Sequence, residues 1–260
     1  MTVRPKRELG QHWLVDENIL GVIGRLAKLE ADDVVLEIGP GLGVLTAYLA
    51  DRTQHVHAVE LDESLEPMLR RRLGARDNVE LVFGDALDLL STGFDPPPNK
   101  LVANLPYNVA TPVVMESLRS LPSVSVWCVM VQREVADRFF APPRTKEYGA
   151  VSVVLQLTVE RTGLHPVART CFRPPPNVES ALVAFRRTRP WDYELEAVRR
   201  VVFAAFAHRR KTLANSLELS GFVDRDRAQD ALAALGRQAS VRAEELAPDE
   251  FVQLAEAFAG

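Results

Sequence analysis

The chain contains few cysteines, no long apolar run and no strong excess of either charge. Its 260 residues include two cysteines, Cys128 and Cys171, which are too few for a disulfide framework and lack metal-ligand spacing. No apolar run approaches the ~18 residues that a membrane-spanning helix needs. The polar N-terminal residues lack the apolar core of a signal peptide. We therefore expect a reduced, cytoplasmic protein with no membrane contact, and we predict no metal site.

The composition is that of an ordinary globular protein, with 47% hydrophobic and 25% charged residues. The formal net charge of −4 argues against a chain that binds nucleic acid over its whole surface, but the charge is unevenly distributed. Residues 186–211 contain eight Lys or Arg and three acids, whereas residues 212–260 contain four Arg and nine acids. This segregation predicts a local basic face. The alternative is chance clustering on a solvated surface.

Strand-like and helix-like segments alternate through the first two thirds of the chain. Buried strands are predicted over residues 34–39, 55–62, 79–86, 101–104, 123–132 and 180–185. The alternation predicts an open α/β sheet. From about Arg189 onward the sequence is rich in Ala, Leu and Arg, is helical in pattern and contains no strand-like run. We place a domain boundary there.

The chain is organised around Asn104, Leu105, Pro106 and Tyr107, which follow a short apolar strand. Pro106 ends that strand, because it has no N–H for the ladder and keeps its neighbour extended. Asn104 offers a side-chain acceptor, the Leu105 carbonyl offers a second, and Tyr107 offers a flat aromatic face. Two acceptors beside an aromatic face suit a flat ring with an amino group. The alternative is a simple strand end with a turn-forming Asn and a packed Tyr.

A glycine-rich turn follows the strand at residues 34–39. Gly39, Gly41 and Gly43 form G-x-G-x-G, which differs from the dinucleotide pattern G-x-G-x-x-G and still lets a ligand approach the backbone. Glu60 ends the next strand 21 residues after Gly39, near the spacing at which an acid binds ribose hydroxyls. The alternative role for this acid is a helix N-cap, for which Asp62 is better placed.

Longer stretches carry a family resemblance. They are Leu9-Gly-Gln-His-Trp-Leu-Val-Asp16, Glu37–Gly43, Val59–Asp62, Gly84–Ala86, Asn104–Asn108, Gln132–Ala136, Lys146–Gly149, Phe172–Ser180 and Arg209–Leu213. Over nearly the whole chain the sequence resembles the bacterial 16S rRNA adenine N6,N6-dimethyltransferases. The Asn-Leu-Pro-Tyr stretch is typical of amino-group methylation, and Lys146–Gly149 and Arg209–Leu213 distinguish this family from its antibiotic-resistance relatives. The family pattern has Asn-Phe where this chain has His12-Trp13.

The resemblance implies a two-part fold and a reaction. It implies a Rossmann-like class I methyltransferase sheet with an N-terminal arm in residues 1–188, and a small helical rRNA-binding domain in residues 189–260. The cofactor would be S-adenosylmethionine. The partner would be 16S rRNA in the small ribosomal subunit, and the protein would act as a monomer. The reaction would dimethylate N6 of two adjacent adenosines in a hairpin near the 3′ end of that RNA.

The resemblance also implies roles for particular residues. The cofactor-binding residues would be His12, Leu14, Gly39, Gly41, Gly43, Glu60, Leu61, Asp85, Ala86 and Asn104. The catalytic residues would be Asn104, Leu105, Pro106, Tyr107 and Phe172, with the two aromatic rings enclosing the target base. The RNA-binding residues would be Arg199, Arg200, Arg209, Arg210 and Lys211.

Two other functions are compatible with these features. The first is an erythromycin-resistance-type 23S rRNA methyltransferase, which shares the Asn-Pro-Tyr corner but not the Arg209–Leu213 stretch. The second is a ribosome-assembly or transcription-binding module that has lost catalysis. The presence of Gly39, Glu60, Asp85, Asn104 and Tyr107 argues against that loss.

Overall fold

The computed structural model describes residues 5–6, 10–74 and 76–259, and Leu9 of the predicted arm motif lies outside them. Within these residues the strands are β1 (Trp13–Leu14), β2 (Val34–Ile38), β3 (His55–Glu60), β4 (Val79–Phe83), β5 (Lys100–Asn104), β6 (Val126–Gln132), β7 (Val159–Val167), β8 (Phe172–Arg173) and β9 (Ser180–Arg187).

The helices separate the strands and dominate the C-terminal third. They are α1 (Glu17–Ala27), α2 (Val44–Ala50), α3 (Glu66–Leu73), α4 (Ala86–Thr92), α5 (Ala110–Ser120), α6 (Arg133–Phe139), α7 (Ala150–Thr158), α8 (Tyr193–Phe206), α9 (Leu213–Leu219), α10 (Arg225–Ala234) and α11 (Pro248–Ala259). Among the described residues, no helix has the length and apolar character needed to cross a bilayer.

Seven strands form one sheet in the order β4-β3-β2-β5-β6-β9-β7. The pairs from β4 to β6 are parallel, and β9 is antiparallel to β6. All five residues of β2 are buried, as expected for a parallel strand covered on both faces. The predicted α/β sheet is confirmed. Its chain order reverses between β2 and β5, so the carboxyl ends of these strands border the crevice where open sheets bind ligands.

Several predicted strand bounds differ from the structure for local reasons. β2 ends one residue early and β5 begins one residue early. β3 ends at Glu60 and β4 at Phe83, before the predicted ends, because Asp62 and Asp85 cap the helical turns that follow. β6 begins at Val126 rather than at residue 123, because a turn follows α5 and the Val124 N–H donates to the Leu121 carbonyl at 3.2 Å. β9 continues past residue 185, since its ladder with β6 extends to the pair Val126–Arg186.

The N-terminal arm pairs with a distant part of the chain. β1 and β8 form a two-stranded antiparallel sheet in which Leu14 lies opposite Phe172 and Trp13 opposite Arg173. Leu14 and Phe172 are 5% and 2% exposed and belong to the core cluster that also contains Cys128 and Cys171. The pairing therefore buries Phe172, the aromatic residue that the resemblance assigns to the target base.

Contacts divide the chain into two compact units. The first contains residues 1–136 and 161–187, and the second contains residues 137–160 and 188–260. The sequence-based division assigned residues 137–160 to the first domain. In the structure α7 packs against α8 and α11, and the Tyr148 hydroxyl donates to the Leu246 carbonyl at 2.9 Å. The helical unit therefore draws on two separate stretches of sequence.

Candidate active site

Asn104, the last residue of β5, is held by the N-terminal arm. Its Nδ2 donates to the His12 carbonyl at 3.0 Å, which leaves Oδ1 as the acceptor. The Leu105 N–H donates to the Met130 carbonyl at 3.1 Å, so the ladder continues one residue beyond the strand. Pro106 then stops it. The orientation of the Asn104 amide is thus fixed by the protein before any substrate binds.

Tyr107 contributes an aromatic ring beside this corner. Its hydroxyl lies 2.6 Å from the Ser180 hydroxyl, and the His12 ring stacks on it with centroids 5.6 Å apart and planes 26° apart. The His12 Nδ1 lies 2.8 Å from the Pro174 carbonyl, to which it donates. His12 therefore connects the Asn104 corner to the loop after β8.

The glycine turn after β2 lets two neighbours approach its backbone. A Cβ on Gly39, where φ is +76°, would lie 3.3 Å from Pro106 Cδ. A Cβ on Gly41, where φ is +55°, would lie 2.7 Å from Trp13 Cδ1. Both the left-handed backbone and the close packing therefore require glycine here. Trp13 of the N-terminal arm and Pro106 of the Asn104 corner therefore pack directly against the glycine turn.

Glu60, at the end of β3, fixes the same turn from the other side. Its Oε2 accepts from the Gly41 N–H at 3.0 Å and its Oε1 from the Asp62 N–H at 2.9 Å. Burial raises the pKa of Glu60 above its usual range, and these backbone donors oppose that rise. The N-cap role belongs to Asp62, which accepts from the Ser64 N–H at 3.1 Å. The carboxylate of Glu60 keeps further lone pairs directed at the pocket.

Asp62 ties the arm to the end of β3. Its carboxylate accepts from Lys6 Nζ at 2.6 Å and from Gln11 Nε2 at 2.9 Å. Burial alone would raise the pKa of Asp62, but hydrogen bonds from Lys6, Ser64 and Gln11 lower it to about 2. The arm is thus anchored by a carboxylate that stays ionised at neutral pH.

Asp85 follows β4 and begins α4. Its side chain accepts from the Leu87 N–H at 2.8 Å, so one carboxylate oxygen is used as a cap. Leu61 lies on the rim of the same pocket with 54% of its surface exposed, although it is a large apolar residue. A partly apolar rim beside an acid suits a heteroaromatic ring.

One pocket of about 110 Å³ collects most of the predicted site residues. Its lining includes His12, Gly39, Gly41, Glu60, Leu61, Asp85, Ala86, Asn104, Leu105, Pro106 and Tyr107. Three predicted residues do not line it. Leu14 reaches a smaller adjoining cavity from the core, and Gly43 begins α2, where a Cβ would touch Leu69.

The third, Phe172, is the main correction to the predicted site. The family resemblance implies that its ring encloses the target base, but the structure buries it in the core opposite Leu14. At 2% exposure the ring has no free face for a base. Among the residues that line the pocket, the aromatic rings are those of His12, Trp13 and Tyr107.

Two polar groups beside the glycine turn were not predicted from the sequence. Trp13 Nε1 and Glu37 Oε2 are buried without a hydrogen-bond partner in the described part of the chain, and both residues line the smaller cavity. Burial raises the pKa of Glu37 to about 8. A buried indole N–H and a buried carboxyl group, both without partners among the described residues, leave hydrogen bonds that a ligand can complete. The ammonium and carboxylate of an amino acid fit this pair, as does the methionine part of S-adenosylmethionine.

The predicted RNA-binding residues all lie in the second unit but differ in their surroundings. Arg199 pairs with Glu196 at 2.6 Å on the same helix. Arg209 Nη2 donates to the carbonyls of Lys146 and Tyr148 at 3.1 and 2.8 Å. Arg200, Arg210 and Lys211 are exposed, and no ion pair is found for them within the described residues.

Arg209 and Arg210 also line a second, basic cavity. The other lining residues are Arg144, Thr145, Lys146, Arg242, Glu244 and Glu245, so five cations and two carboxylates surround it. This excess of positive charge suits the binding of a phosphate group.

A parallel sheet that reverses order beside a glycine turn defines a Rossmann-like fold. Together with the comparisons that follow, this fold places the chain among the class I methyltransferases. The family model described as "Ribosomal RNA adenine dimethylase" matches residues 3–259. The chain belongs to the ribosomal RNA adenine dimethylase family. It is 48% identical to "Ribosomal RNA small subunit methyltransferase A" of Rubrobacter xylanophilus, over 97% of this chain and 95% of that protein. The protein of the same name from Lactococcus lactis is 40% identical, over 97% and 89%.

Solved structures agree with the fold. A dimethyladenosine transferase from Plasmodium falciparum superposes with a TM-score of 0.75 at 24% identity, covering 94% of this chain and 96% of that one. The 23S rRNA methyltransferase ErmE superposes with a TM-score of 0.69 at 28% identity, covering 95% and 100%. The Rossmann-like class I methyltransferase fold is therefore confirmed, and so is the family that the sequence motifs indicated.

Proposed function

We propose that the protein dimethylates N6 of two adjacent adenosines in a hairpin near the 3′ end of 16S rRNA, using S-adenosylmethionine. The observation that carries the proposal is the Asn104 corner, whose amide oxygen is directed away from the arm by the hydrogen bond to His12. The family membership supports the same reaction. Work on ribosomal RNA during small-subunit biogenesis would take place in the cytoplasm.

The residues that would hold S-adenosylmethionine line the main pocket and the adjoining cavity. Glu60 would accept hydrogen bonds from the ribose hydroxyls of the cofactor. Asp85, beside Leu61, would accept a hydrogen bond from the amino group of the cofactor's adenine. Glu37 and Trp13 would bind the ammonium and carboxylate of the methionine part. When bound, the cofactor supplies an electrophilic methyl group on its sulfonium sulfur.

The chain itself supplies positioning and acceptor dipoles. The lone pair of adenine N6 is delocalised into the ring, which makes the amino group a poor nucleophile. The two N–H groups of N6 would donate hydrogen bonds to Asn104 Oδ1 and to the Leu105 carbonyl. These hydrogen bonds favour a pyramidal N6, whose lone pair is then directed away from the adenine ring. Groups that are held in place before the reaction stabilise its transition state without reorganising. Pro106 keeps the two acceptors in a fixed relation.

The target base would stack on Tyr107 after leaving its helix. Its ring is anchored by the Ser180 hydroxyl, and His12 covers one side of it. Because His12 covers one face of the Tyr107 ring and Phe172 is buried, we assign the base to the other face of Tyr107. The second methylation requires the same pocket to accept an N-methyl group.

The second unit would hold rRNA phosphates. Arg200, Arg210 and Lys211 are exposed cations, and the basic cavity lies beside Arg209 and Arg210. Such contacts fix the register of an RNA and carry most of its salt-dependent affinity. The guanidinium of Arg199 is paired with Glu196, so we assign Arg199 a smaller contribution to RNA binding.

The proposal is tested on small ribosomal subunits from a strain that lacks its own dimethyltransferase. Treated with the protein and S-adenosylmethionine, their 16S rRNA should yield N6,N6-dimethyladenosine on nucleoside mass spectrometry. Asn104→Ala should lower the single-turnover rate by about 10²-fold or more, as when one transition-state-stabilising group is removed. Its affinity for the subunit should be unchanged.

Other products would point to other functions. Methylation confined to 23S rRNA would favour an enzyme of the erythromycin-resistance type. Cofactor and subunit binding without any methylated nucleoside would favour an assembly factor. An Asn104→Ala rate within a few-fold of the wild-type rate would remove Asn104 from the catalytic role.

A further inference from the structure

A cluster of two histidines and a glutamate lies at the other end of β3, away from the cofactor pocket. His55 and His57 alternate along β3 and so project from the same face. Glu80 on β4 is the register partner of His57. One ring nitrogen of His55, one of His57 and a carboxylate oxygen of Glu80 all lie within 4.8 Å of one another. His55 is five residues before Glu60, roughly 16 Å away at about 3.3 Å per strand residue.

The hydrogen bonds of His57 leave its Nδ1 facing the carboxylate of Glu80. His57 Nε2 lies 2.8 Å from the Pro96 carbonyl and must donate to it, since a carbonyl can only accept. In the neutral ring, Nδ1 then carries a lone pair, yet it lies 2.7 Å from Glu80 Oε2. A proton or a metal ion must therefore lie between or beside these two atoms.

His55 adds a third group without a partner. Its Nε2 is buried, has no hydrogen-bond partner within the described residues, and lies 4.0 Å from the same Glu80 oxygen. The His55 and His57 rings meet edge to face with centroids 4.4 Å apart, and the Phe94 ring lies 5.2 Å from that of His57. The cluster thus has an apolar cover on one side.

We propose that His55, His57 and Glu80 bind a zinc-class divalent cation through two imidazole nitrogens and one carboxylate. Two His and one carboxylate with a fourth, open position is a donor set that suits Zn²⁺. A histidine that binds a metal usually donates its other ring N–H to a carbonyl or carboxylate, which fixes its tautomer. The Pro96 carbonyl accepts this hydrogen bond from His57 Nε2. Glu80 is 51% exposed and is free to move its carboxylate to the spacing that tetrahedral coordination needs.

The ion would join β3, β4 and the segment at Pro96 at the amino-terminal edge of the sheet. It would take no part in methyl transfer, because the cofactor residues lie at the carboxyl edge. Its expected effect is on stability, since an ion that binds only the folded state raises the unfolding free energy.

The test uses the full chain, stripped of metal with a chelator and then titrated with Co²⁺ and with Zn²⁺. We expect one Co²⁺ per chain, with the visible absorption of a tetrahedral nitrogen–oxygen site, and its displacement by Zn²⁺. His55→Ala and Glu80→Gln should each weaken Zn²⁺ binding by at least ~10-fold, the lower end of what losing even a supporting group costs. Both residues are partly exposed, so these variants should fold.

His165→Ala provides the matched control, because it removes a histidine from β7 and should leave Zn²⁺ affinity unchanged. Zn²⁺ should raise the melting temperature of the wild type and the control but not of the two site variants. If the wild type does not bind Zn²⁺, the proposal is wrong. Equal Zn²⁺ binding by wild type and both site variants would place the ion elsewhere and would also overturn it.

Discussion

At the scale of single residues, the site contains polar groups that folding buries without satisfying them. Glu37 Oε2 and Trp13 Nε1 lie beside the glycine turn without partners in the described part of the chain. A buried unsatisfied group costs on the order of 1–3 kcal/mol, so these positions reduce stability in the protein without its ligand. We expect each to be relieved by cofactor binding.

Glu37 should make stability depend on pH. Its pKa is about 8 in the folded protein against an ordinary value of 4.5, so the folded state holds a proton that the unfolded state loses between these values. Its contribution is fully present below pH 4.5 and is lost as pH rises toward 8, at up to about 1.4 kcal/mol per pH unit. Glu37→Gln should remove this slope. Urea unfolding at pH 5.5 and 7.5 measures it, and parallel profiles for variant and wild type would contradict the assignment.

Trp13 should contribute one hydrogen bond to the cofactor that a phenylalanine cannot make. Trp13→Phe keeps an aromatic ring against Gly41 and removes Nε1–H. Loss of a hydrogen bond worth about 0.5–1.5 kcal/mol should weaken S-adenosylmethionine binding by roughly 2- to 10-fold in calorimetry. Thermal stability should stay the same or rise. Trp191→Phe, in the other unit, serves as the control, and unchanged affinity of Trp13→Phe would reduce Trp13 to a packing role.

At the scale of elements, the turn between α8 and α9 contains neighbouring cations with two different roles, support of the fold and binding of RNA. Arg209 binds two backbone carbonyls of the loop before α7 and lies 3.9 Å from Glu244, so it supports the fold of the helical unit. Arg210 and Lys211 are exposed and have no ion pair among the described residues. The sequence alone treats the three cations as equivalent.

The structure separates their expected effects. Arg210→Ala with Lys211→Ala should weaken binding to the small subunit and lower the slope of log affinity against log salt by about 0.7–0.9 per lost phosphate contact. The melting temperature and cofactor affinity should not change. Arg209→Ala should instead lower the melting temperature. A salt slope that is unchanged in the double variant would remove these two cations from the RNA-binding surface.

At the scale of the whole molecule, the sheet order places the polar strand ends together. β2 has β3 on one side and β5 on the other, so the glycine turn, Glu60 and Asn104 border one crevice although they span 66 residues of sequence. The arm is then fixed over this crevice by Asp62 and by pairing with β8. Substrate chemistry and cofactor binding therefore depend on one topological switch point.

The sequence by itself determined the features that depend on neighbouring residues. The period of the apolar residues defined the strands and helices, Pro106 defined the end of β5, and the polar residue at each strand end pointed to the carboxyl edge of the sheet. These are local effects of backbone sterics and burial, and they were enough to predict the open α/β sheet, the glycine turn, Glu60 and the Asn104 corner. The remaining pocket residues were predicted from the family resemblance.

Only the tertiary structure decided what depends on long-range pairing. Phe172 is a core residue because β8 pairs with β1, some 160 residues earlier in the chain. The segment at residues 137–160 belongs with the C-terminal helices because α7 packs on α8 and α11. His57 meets Glu80 because two strands lie side by side, whereas in the sequence the two histidines are simply an alternating strand pattern. Such contacts follow from strand register and helix packing, which the local pattern does not encode.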